Sequence, residues 1–97
     1  MSKMSKAAWD VLAERERQKE VEGWHPDHDD AYKGCELAVA SAMYTLYTDS
    51  YPNAGEPPEL WPWDAEWWKP KDYRRDLVRA GALILAEIER LDRASVR

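Results

Sequence analysis

Residues 61–93 read WPWDAEWWKPKDYRRDLVRAGALILAEIERLDR, and this stretch decides the fold. It joins a segment rich in Trp and Pro to a strongly periodic apolar pattern. The apolar residues that recur at steps of three and four are Leu77, Ala80, Ile84, Ile88 and Leu91. This is the spacing of one helix face, so the pattern predicts a helix over about residues 72–93 with that face buried. The wholly apolar run at residues 82–86 predicts that the helix is covered on a second side too.

Length and composition limit the class of protein. A chain of 97 residues forms one domain with a small core. It contains six Trp and five Tyr but no Phe, so much of this core consists of rings that carry a polar atom. The single cysteine, Cys35, excludes an intramolecular disulfide and a cysteine-based zinc site within one chain, and we expect it to be buried and inert. The sequence has no signal-peptide pattern and no apolar run near the roughly 18–20 residues of a membrane span. We therefore expect a soluble, cytoplasmic protein that does not enter the membrane.

The charge is distributed unevenly along the chain, whose net charge is −5. Residues 24–68 carry nine acids against the single base Lys33, whereas residues 69–97 carry eight bases against five acids. The acidic region should repel a nucleic-acid backbone, so direct binding to duplex DNA is not expected, but it could pair with a basic groove on another protein. The basic segment is the predicted site for an anion.

Two further helices are predicted before the long one. Ser5 can cap a first helix over about residues 6–22, and the alternating charges at residues 14–20 are typical of a solvated helix surface. A second helix is predicted over about residues 30–47. Its predicted inner face consists of Cys35, Ala38, Val39, Ala42, Met43 and Leu46, widened by Leu37 and Tyr44. The alanines favour close approach of a neighbouring helix, most simply the last one.

The loop between these two helices, Gly23–Asp30, is rich in His and Asp. One interpretation is a divalent-metal site formed by His28, Asp29, Asp30 and Glu36, with His25 as a further candidate ligand. The other interpretation is structural, with the aspartates at the electropositive start of the second helix and His28 as a capping or packing residue. The metal would be the only cofactor.

A connector at residues 48–70 holds all but one of the six prolines and four of the six tryptophans. A connection of this length without secondary structure is uncommon in a small domain and is often functional. Its tryptophans are Trp61, Trp63, Trp67 and Trp68. Either they pack the connector onto the helices, or they form a stacking platform for a base or an anchor for a protein partner.

Basic residues gather around the start of the last helix. The candidates for ligand or partner binding are Lys71, Arg74, Arg75 and Arg79, next to the Trp residues of the connector. Arg75 and Arg79 are four residues apart and could face a phosphate together, because the backbone N–H groups of a helix start also attract anions. Alternatively, these cations balance the acidic region through weak surface ion pairs.

The carboxylates suggest one enzymatic alternative. The chain is similar in fold class to nucleotide pyrophosphohydrolases of the MazG type, which hold magnesium with acidic residues at Glu-x-x-Glu and Glu-x-x-Asp spacings on two packed helices. In this chain Glu16 and Glu20 are four residues apart, and neither of the first two predicted helices carries a glutamate pair three residues apart. The resemblance is therefore limited to the fold class.

A second resemblance rests on several motifs. They are Glu16-Arg17-Gln18, Glu22-Gly23-Trp24, His28-Asp29-Asp30, Trp67-Trp68-Lys69-Pro70, and Arg74-Arg75-Asp76-Leu77-Val78 with its continuation from Ala80-Gly81-Ala82 to Leu91. Through these, the chain resembles a family of small, uncharacterised phage and prophage proteins. The resemblance covers both ends of the chain and leaves out the Pro-rich middle. It implies a phage context, in which small acidic proteins commonly act by binding.

The sequence thus predicts a single all-α domain of three helices, with the Trp/Pro-rich connector packed over one side. The predicted function is that of a phage-encoded binding protein that inhibits a host factor. It would occlude a host defence complex such as CRISPR, or sequester a nucleotide signal. A metal-dependent nucleotide hydrolase and a structural or assembly protein are the alternatives. The apolar segment at residues 80–86 also favours self-association into a homo-oligomer.

Overall fold

A computed structural model describes residues 3–21, 35–48 and 55–95. These residues form three α-helices, α1 (Lys6–Glu20), α2 (Glu36–Leu46) and α3 (Tyr73–Ser95), together with a 3-10 turn at Ala65–Trp67 and no strand. The predicted all-α, three-helix class is confirmed. Within the same residues, no helix has the length and apolar character needed to cross a membrane.

Polar side chains define where the two longer helices begin. The Ser5 hydroxyl accepts a hydrogen bond of 3.0 Å from the Ala8 N–H, which is the predicted cap of α1. At the start of α3, a carboxylate oxygen of Asp72 accepts from the Arg75 N–H at 2.9 Å, and one of Asp76 accepts from the Lys71 N–H at 2.8 Å. The two aspartates therefore satisfy backbone donors at the helix entry and set the direction in which the connector joins α3.

The core lies between α2, α3 and the connector. Its buried residues are Leu37, Ala40, Met43, Tyr44, Trp61, Trp68, Ala80, Leu83 and Ala86. Small residues on both helices permit close packing, and the buried Ser41 hydroxyl donates to the Ala80 carbonyl oxygen at 2.8 Å. The predicted packing of α2 against the last helix is thus present.

The predicted inner face of α2 is wrong in part. Cys35, Ala38, Ala42 and Leu46 are exposed. The predicted Met43, Leu37 and Tyr44 are buried, and so are Ala40 and Ser41, which the prediction did not include. The apolar and small residues of this helix surround its whole circumference, so periodicity alone does not identify the side that meets α3. The expected buried thiol is consequently a surface group.

The predicted buried face of α3 is also wrong, apart from Ala80. Leu77, Ile84, Ile88 and Leu91 remain between 38% and 52% exposed. The faces that do pack carry smaller residues, with Ala80, Ala82 and Ala86 almost fully buried, because α1 and α2 approach α3 where its side chains are short. Gly81 follows the same logic, since a Cβ atom there would lie 3.2 Å from the side chain of Val11 on α1.

Candidate functional site: an arginine-lined groove between α1 and α3

A groove of about 290 Å³ opens where α1 packs against the first two turns of α3. Its lining residues are Asp10, Ala13, Glu14, Arg17, Arg74, Arg75 and Val78. We call this feature the arginine groove. Positions 10, 14 and 17 share one face of α1, and Arg74 and Arg75 project from the start of α3. Two helices that are far apart in sequence thus supply one charged site.

Glu14 is the buried centre of the arginine groove, with a side chain only 1% exposed. Arg17 donates to both of its carboxylate oxygens at 2.8 Å, and Arg75 approaches one of them at 2.7 Å. Burial by itself would raise the pKa of Glu14, but the hydrogen bonds and charges of the two guanidinium groups outweigh this and hold the pKa below its ordinary value of 4.5. Glu14 is therefore ionised near neutral pH and fixes both arginines in place.

Asp10 and Arg74 form the outer rim of the arginine groove. Asp10 accepts from Lys6 at 2.7 Å and pairs with Arg74 at 2.9 Å, and these hydrogen bonds lower its pKa. The Arg74 side chain remains 55% exposed, so part of its guanidinium faces solvent. The charged residues of the groove are three arginines and two carboxylates, and their sum is positive.

The inner face of α1 contradicts the prediction of a solvated charged surface. Glu14, Arg15 and Gln18 are almost fully buried, at 2%, 2% and 0% exposure. Arg15 donates to the Glu89 carboxylate of α3 at 3.0 Å, and the Gln18 amide lies 3.4 Å from the carboxylate of Glu14. Glu14 and Arg15 pack inward because α3 supplies Arg75 and Glu89 as partners of opposite charge. Partners this distant in sequence cannot be identified from the charge pattern of α1 alone.

Two of the predicted aromatic site residues lie in the core. Trp61 and Trp68 are 8% and 7% exposed. The Trp68 ring stacks on Tyr44 with 4.7 Å between centroids, and Trp61 meets Trp68 edge-on at 4.9 Å. The Tyr44 hydroxyl also accepts from the Lys69 N–H at 3.0 Å and donates to the Trp67 carbonyl at 3.3 Å. These contacts pack the connector onto α2, as the structural interpretation of the tryptophans requires.

The other two predicted aromatic residues, Trp63 and Trp67, are half-buried against the same cluster. Lys69 places its ammonium group 5.1 Å from the centre of the Trp67 ring, a cation–π distance. A shallow pocket of about 150 Å³ is lined by Glu66, Trp67 and Lys69. Among the described residues of the connector, this small pocket is the surface at which a ligand could bind.

The predicted basic residues separate into two sets. Arg74 and Arg75 line the arginine groove, whereas Arg79 is 6% exposed, donates to the Lys69 carbonyl and lies 5.2 Å from the centre of the Tyr44 ring. Lys71 is exposed and does not line the groove. Arg79 thus joins the core and the connector, and only the first two arginines of α3 face an opening together.

The sequence prediction missed Asp10, Glu14 and Arg17 as residues of this site. Their spacing of four and then three residues does place them on one face of a helix, which was the available signal. The spacing does not indicate that the start of α3 is the surface that packs against these residues.

The predicted metal site falls mostly outside the described residues, which include Glu36 but not His28, Asp29 or Asp30. Glu36 is half-buried in the first turn of α2. Residues 3–21, 35–48 and 55–95 contain no group of three His, Cys, Asp or Glu side chains placed to hold a metal ion. The metal site stays a prediction.

The chemistry of the arginine groove is that of an oxyanion site. A guanidinium group presents parallel N–H donors that match two oxygens of a phosphate or a carboxylate. Three such groups around one opening can bind an oxyanion by charge-assisted hydrogen bonds. No protein-family model, curated protein or solved structure matches the chain.

Proposed function

We propose that the protein is a small, phage-encoded binding protein that inhibits a host response by sequestering a nucleotide signal through its phosphate. The observation that carries the proposal is the convergence of Arg17, Arg74 and Arg75 on one groove. Their side chains are between 31% and 55% exposed, so each has donors accessible from solvent. The phage context rests on the sequence motifs.

The carboxylates of the arginine groove support binding rather than prevent it. Glu14 holds Arg17 and Arg75 in place before a ligand arrives, which reduces the entropy lost when a phosphate binds. Arg74 can exchange its exposed contact with Asp10 for a ligand oxygen, because a surface ion pair is weak. Preformed donors with a net positive charge favour a phosphate over a neutral ligand.

The size of the groove limits the ligand. At about 290 Å³ it lies at the lower end of the small-molecule range of roughly 300–1,000 Å³. It can enclose a phosphate and part of one nucleoside, and the remainder of a larger nucleotide would lie across the surface of α1 and α3. We therefore expect the phosphate to dominate recognition and the base to contribute less.

Native mass spectrometry and calorimetry with inorganic phosphate, mononucleotides and cyclic dinucleotides test this function. We expect at least one nucleotide to bind, and the double variant Arg74→Gln, Arg75→Gln to weaken binding at least about 10-fold, because each charge-assisted hydrogen bond contributes roughly 1.5–3 kcal/mol. Arg93→Gln, an arginine substitution near the other end of α3, is the matched control and should bind as the unaltered protein does. Equal affinity of the double variant, or no binding of any probe at millimolar concentration, would refute the site.

The same nucleotide panel tests the hydrolase alternative. With Mg²⁺ or Mn²⁺ present, a hydrolase releases phosphate or pyrophosphate, whereas a sequestering protein returns the nucleotide intact. Release that scales with protein concentration would replace the proposed function by the enzymatic one.

A second binding function, occlusion of a host defence complex, is favoured by the acidic surface of the connector. Glu59, Asp64 and Glu66 are all exposed, and residues 55–68 contain no basic residue. Such a surface suits a basic nucleic-acid groove on a partner protein. A host complex that binds the unaltered chain but not Glu59→Lys, Glu66→Lys, with Arg74→Gln, Arg75→Gln still binding, would favour this function over nucleotide sequestration.

A further inference from the structure

The long helix α3 leaves one wholly apolar face uncovered by the described residues. Its exposed large side chains are Tyr73 at 46%, Leu77 at 38%, Ile84 at 48%, Ile88 at 49% and Leu91 at 52%. Their spacing of four, seven, four and three residues places them along one side of the helix. We call this face the α3 stripe. It lies apart from the alanine face that packs on α2 and from Glu89, which pairs with α1.

The α3 stripe is large enough to matter energetically. Five large side chains that are each about half exposed leave roughly 400–450 Å² of surface, which is as large as the biggest apolar patch of a typical monomer. Two such faces in contact would cover about 800–900 Å² from the stripe residues alone. The stripe residues therefore supply about two-thirds to three-quarters of the roughly 1,200 Å² at which specific interfaces begin, and the residues along both edges must supply the rest. A second copy of the chain therefore offers an apolar surface of matching length and chemistry.

The charges along the edge of the α3 stripe favour an antiparallel pair. Arg74 and Asp92 lie on the same edge at opposite ends of the helix, and both are exposed. In an antiparallel arrangement with a two-fold axis across the helices, the Arg74 end of one copy lies beside the Asp92 end of the other. A parallel arrangement would instead place the two Arg74 side chains on opposite edges of the interface, so that neither would meet Asp92 of the other copy.

One axis position satisfies both the apolar and the charged contacts. The midpoint of Leu77 and Leu91 is Ile84, and the midpoint of Arg74 and Asp92 is the adjacent Leu83. The two midpoints differ by one residue. An axis at Ile84 places Leu77 of one copy against Leu91 of the other, and the two Ile84 side chains against each other. Self-complementarity about a two-fold axis is the property that a closed homodimer needs.

We propose that two copies of the chain associate through the α3 stripe, with their α3 helices antiparallel about a two-fold axis at Ile84. None of the five stripe residues lines the arginine groove, but Arg74 at the edge of the stripe does, and there it pairs with Asp10 at 2.9 Å. The partner it requires is another copy of this chain.

Sedimentation and light scattering of the full chain measure the association directly. We expect a mass of twice 11.3 kDa at tens of micromolar protein. Ile84→Lys, which buries two ammonium groups against each other on the axis, should raise the dimer dissociation constant at least about 100-fold. Leu60→Lys is the matched control, because Leu60 is 68% exposed on the connector and lies outside the stripe. Circular dichroism checks that both variants keep their helices.

Two further variants test the antiparallel register. Asp92→Arg should weaken the dimer about 10-fold by facing Arg74, and adding Arg74→Glu should restore it by reversing the pair. In a Cys35→Ser background, Ile84→Cys should form an intermolecular disulfide on mild oxidation, whereas Leu60→Cys should not. A disulfide at position 84 requires the two copies to meet there.

Three results would overturn the inference. A monomer at 200 micromolar means that the stripe does not join two copies of the chain. A dimer that persists unchanged in Ile84→Lys means that another surface holds it. Ile84→Lys could dissociate the dimer while neither the charge reversal nor the disulfide behaves as stated. That result refutes the antiparallel arrangement.

Discussion

Replacing Glu14 by Gln removes one buried charge from the centre of the arginine groove while keeping the size of the side chain. The carboxylate is 1% exposed and is held by Arg17 at 2.8 Å and Arg75 at 2.7 Å. Glutamine retains one oxygen that can accept a hydrogen bond, but its amide nitrogen faces a guanidinium group as a second donor. We therefore expect the variant to fold with a weaker contact between α1 and α3.

The size of the expected loss of stability follows from the burial of Glu14 and of its two arginine partners. Removing one member of a fully buried ion pair costs about 3–5 kcal/mol. Here Arg17 and Arg75 are 31% and 32% exposed, so water can solvate them once the carboxylate is gone, and the retained amide oxygen keeps one contact. We expect the free energy of unfolding to fall by about 2 kcal/mol, which corresponds to roughly 8–16 °C in Tm for a domain of this size.

The pH dependence of the free energy of unfolding gives an independent check that ionised Glu14 stabilises the fold. The folded-state pKa of Glu14 is depressed, since the hydrogen bonds and charges of Arg17 and Arg75 outweigh the raising effect of burial. Its stabilising contribution is therefore complete above the unfolded pKa near 4.5 and is lost as the pH falls through the folded pKa. The stability difference between the unaltered chain and Glu14→Gln should be largest at pH 7 and should shrink below pH 4.5.

Urea unfolding followed by circular dichroism at pH 7, 5, 4 and 3 measures both effects. Glu16→Gln is the matched control on the same helix, because the Glu16 side chain is 62% exposed and pairs with Lys19 at the surface. We expect it to change stability by less than about 0.5 kcal/mol at every pH. If Glu14→Gln is as stable as Glu16→Gln at pH 7, then Glu14 does not hold the two helices together and the account of the groove is wrong.

Two further substitutions test the polar contacts around the connector. Asp76→Asn should raise the free energy of unfolding at pH 7, because asparagine keeps an acceptor for the Lys71 N–H without burying a charge. Burial raises the pKa of Asp76 above its ordinary 3.8, so its ionised form weakens the fold as the pH rises, and the gain should vanish in urea unfolding near pH 4. Tyr44→Phe should lower the stability by about 1–2 kcal/mol in urea unfolding followed by tryptophan fluorescence, because the hydroxyl bonds both the Lys69 N–H and the Trp67 carbonyl. An unchanged Tyr44→Phe would mean that ring stacking alone holds the connector.

The helix class could be predicted from the sequence because helical periodicity is a local property. Residues 72–93 were predicted as a helix and α3 spans Tyr73–Ser95, a difference of one residue at its start and two at its end. The buried side could not be predicted, since α3 has two apolar faces. Hydrophobicity favours the face with Ile84 and Leu91, whereas close approach of a neighbouring helix requires the short side chains of Ala82 and Ala86.

The site was harder to predict because its parts come from separate segments. The sequence identifies Arg74 and Arg75 as cations at a helix start, but it predicts Glu14 to lie on a solvated surface. Its burial depends on Arg75, which lies far along the chain, so only the packing of α1 on α3 reveals it. For the tryptophans, the sequence suggests binding residues where the structure has core residues. Trp61 and Trp68 are prominent in the sequence, yet they lie in the core beside Tyr44.

The nucleotide site and the dimer interface can be separated, although one residue is near both. Arg74 lines the arginine groove and also lies at the edge of the α3 stripe, so its substitution alone cannot distinguish them. Arg75 pairs with Glu14 inside the groove, away from the stripe, and Ile84 belongs to the stripe without lining the groove. Arg75→Gln should therefore reduce nucleotide binding in a chain that still dimerises. Ile84→Lys should give a monomer that still binds nucleotide, unless the second copy contributes to the ligand contact, in which case both properties are lost together.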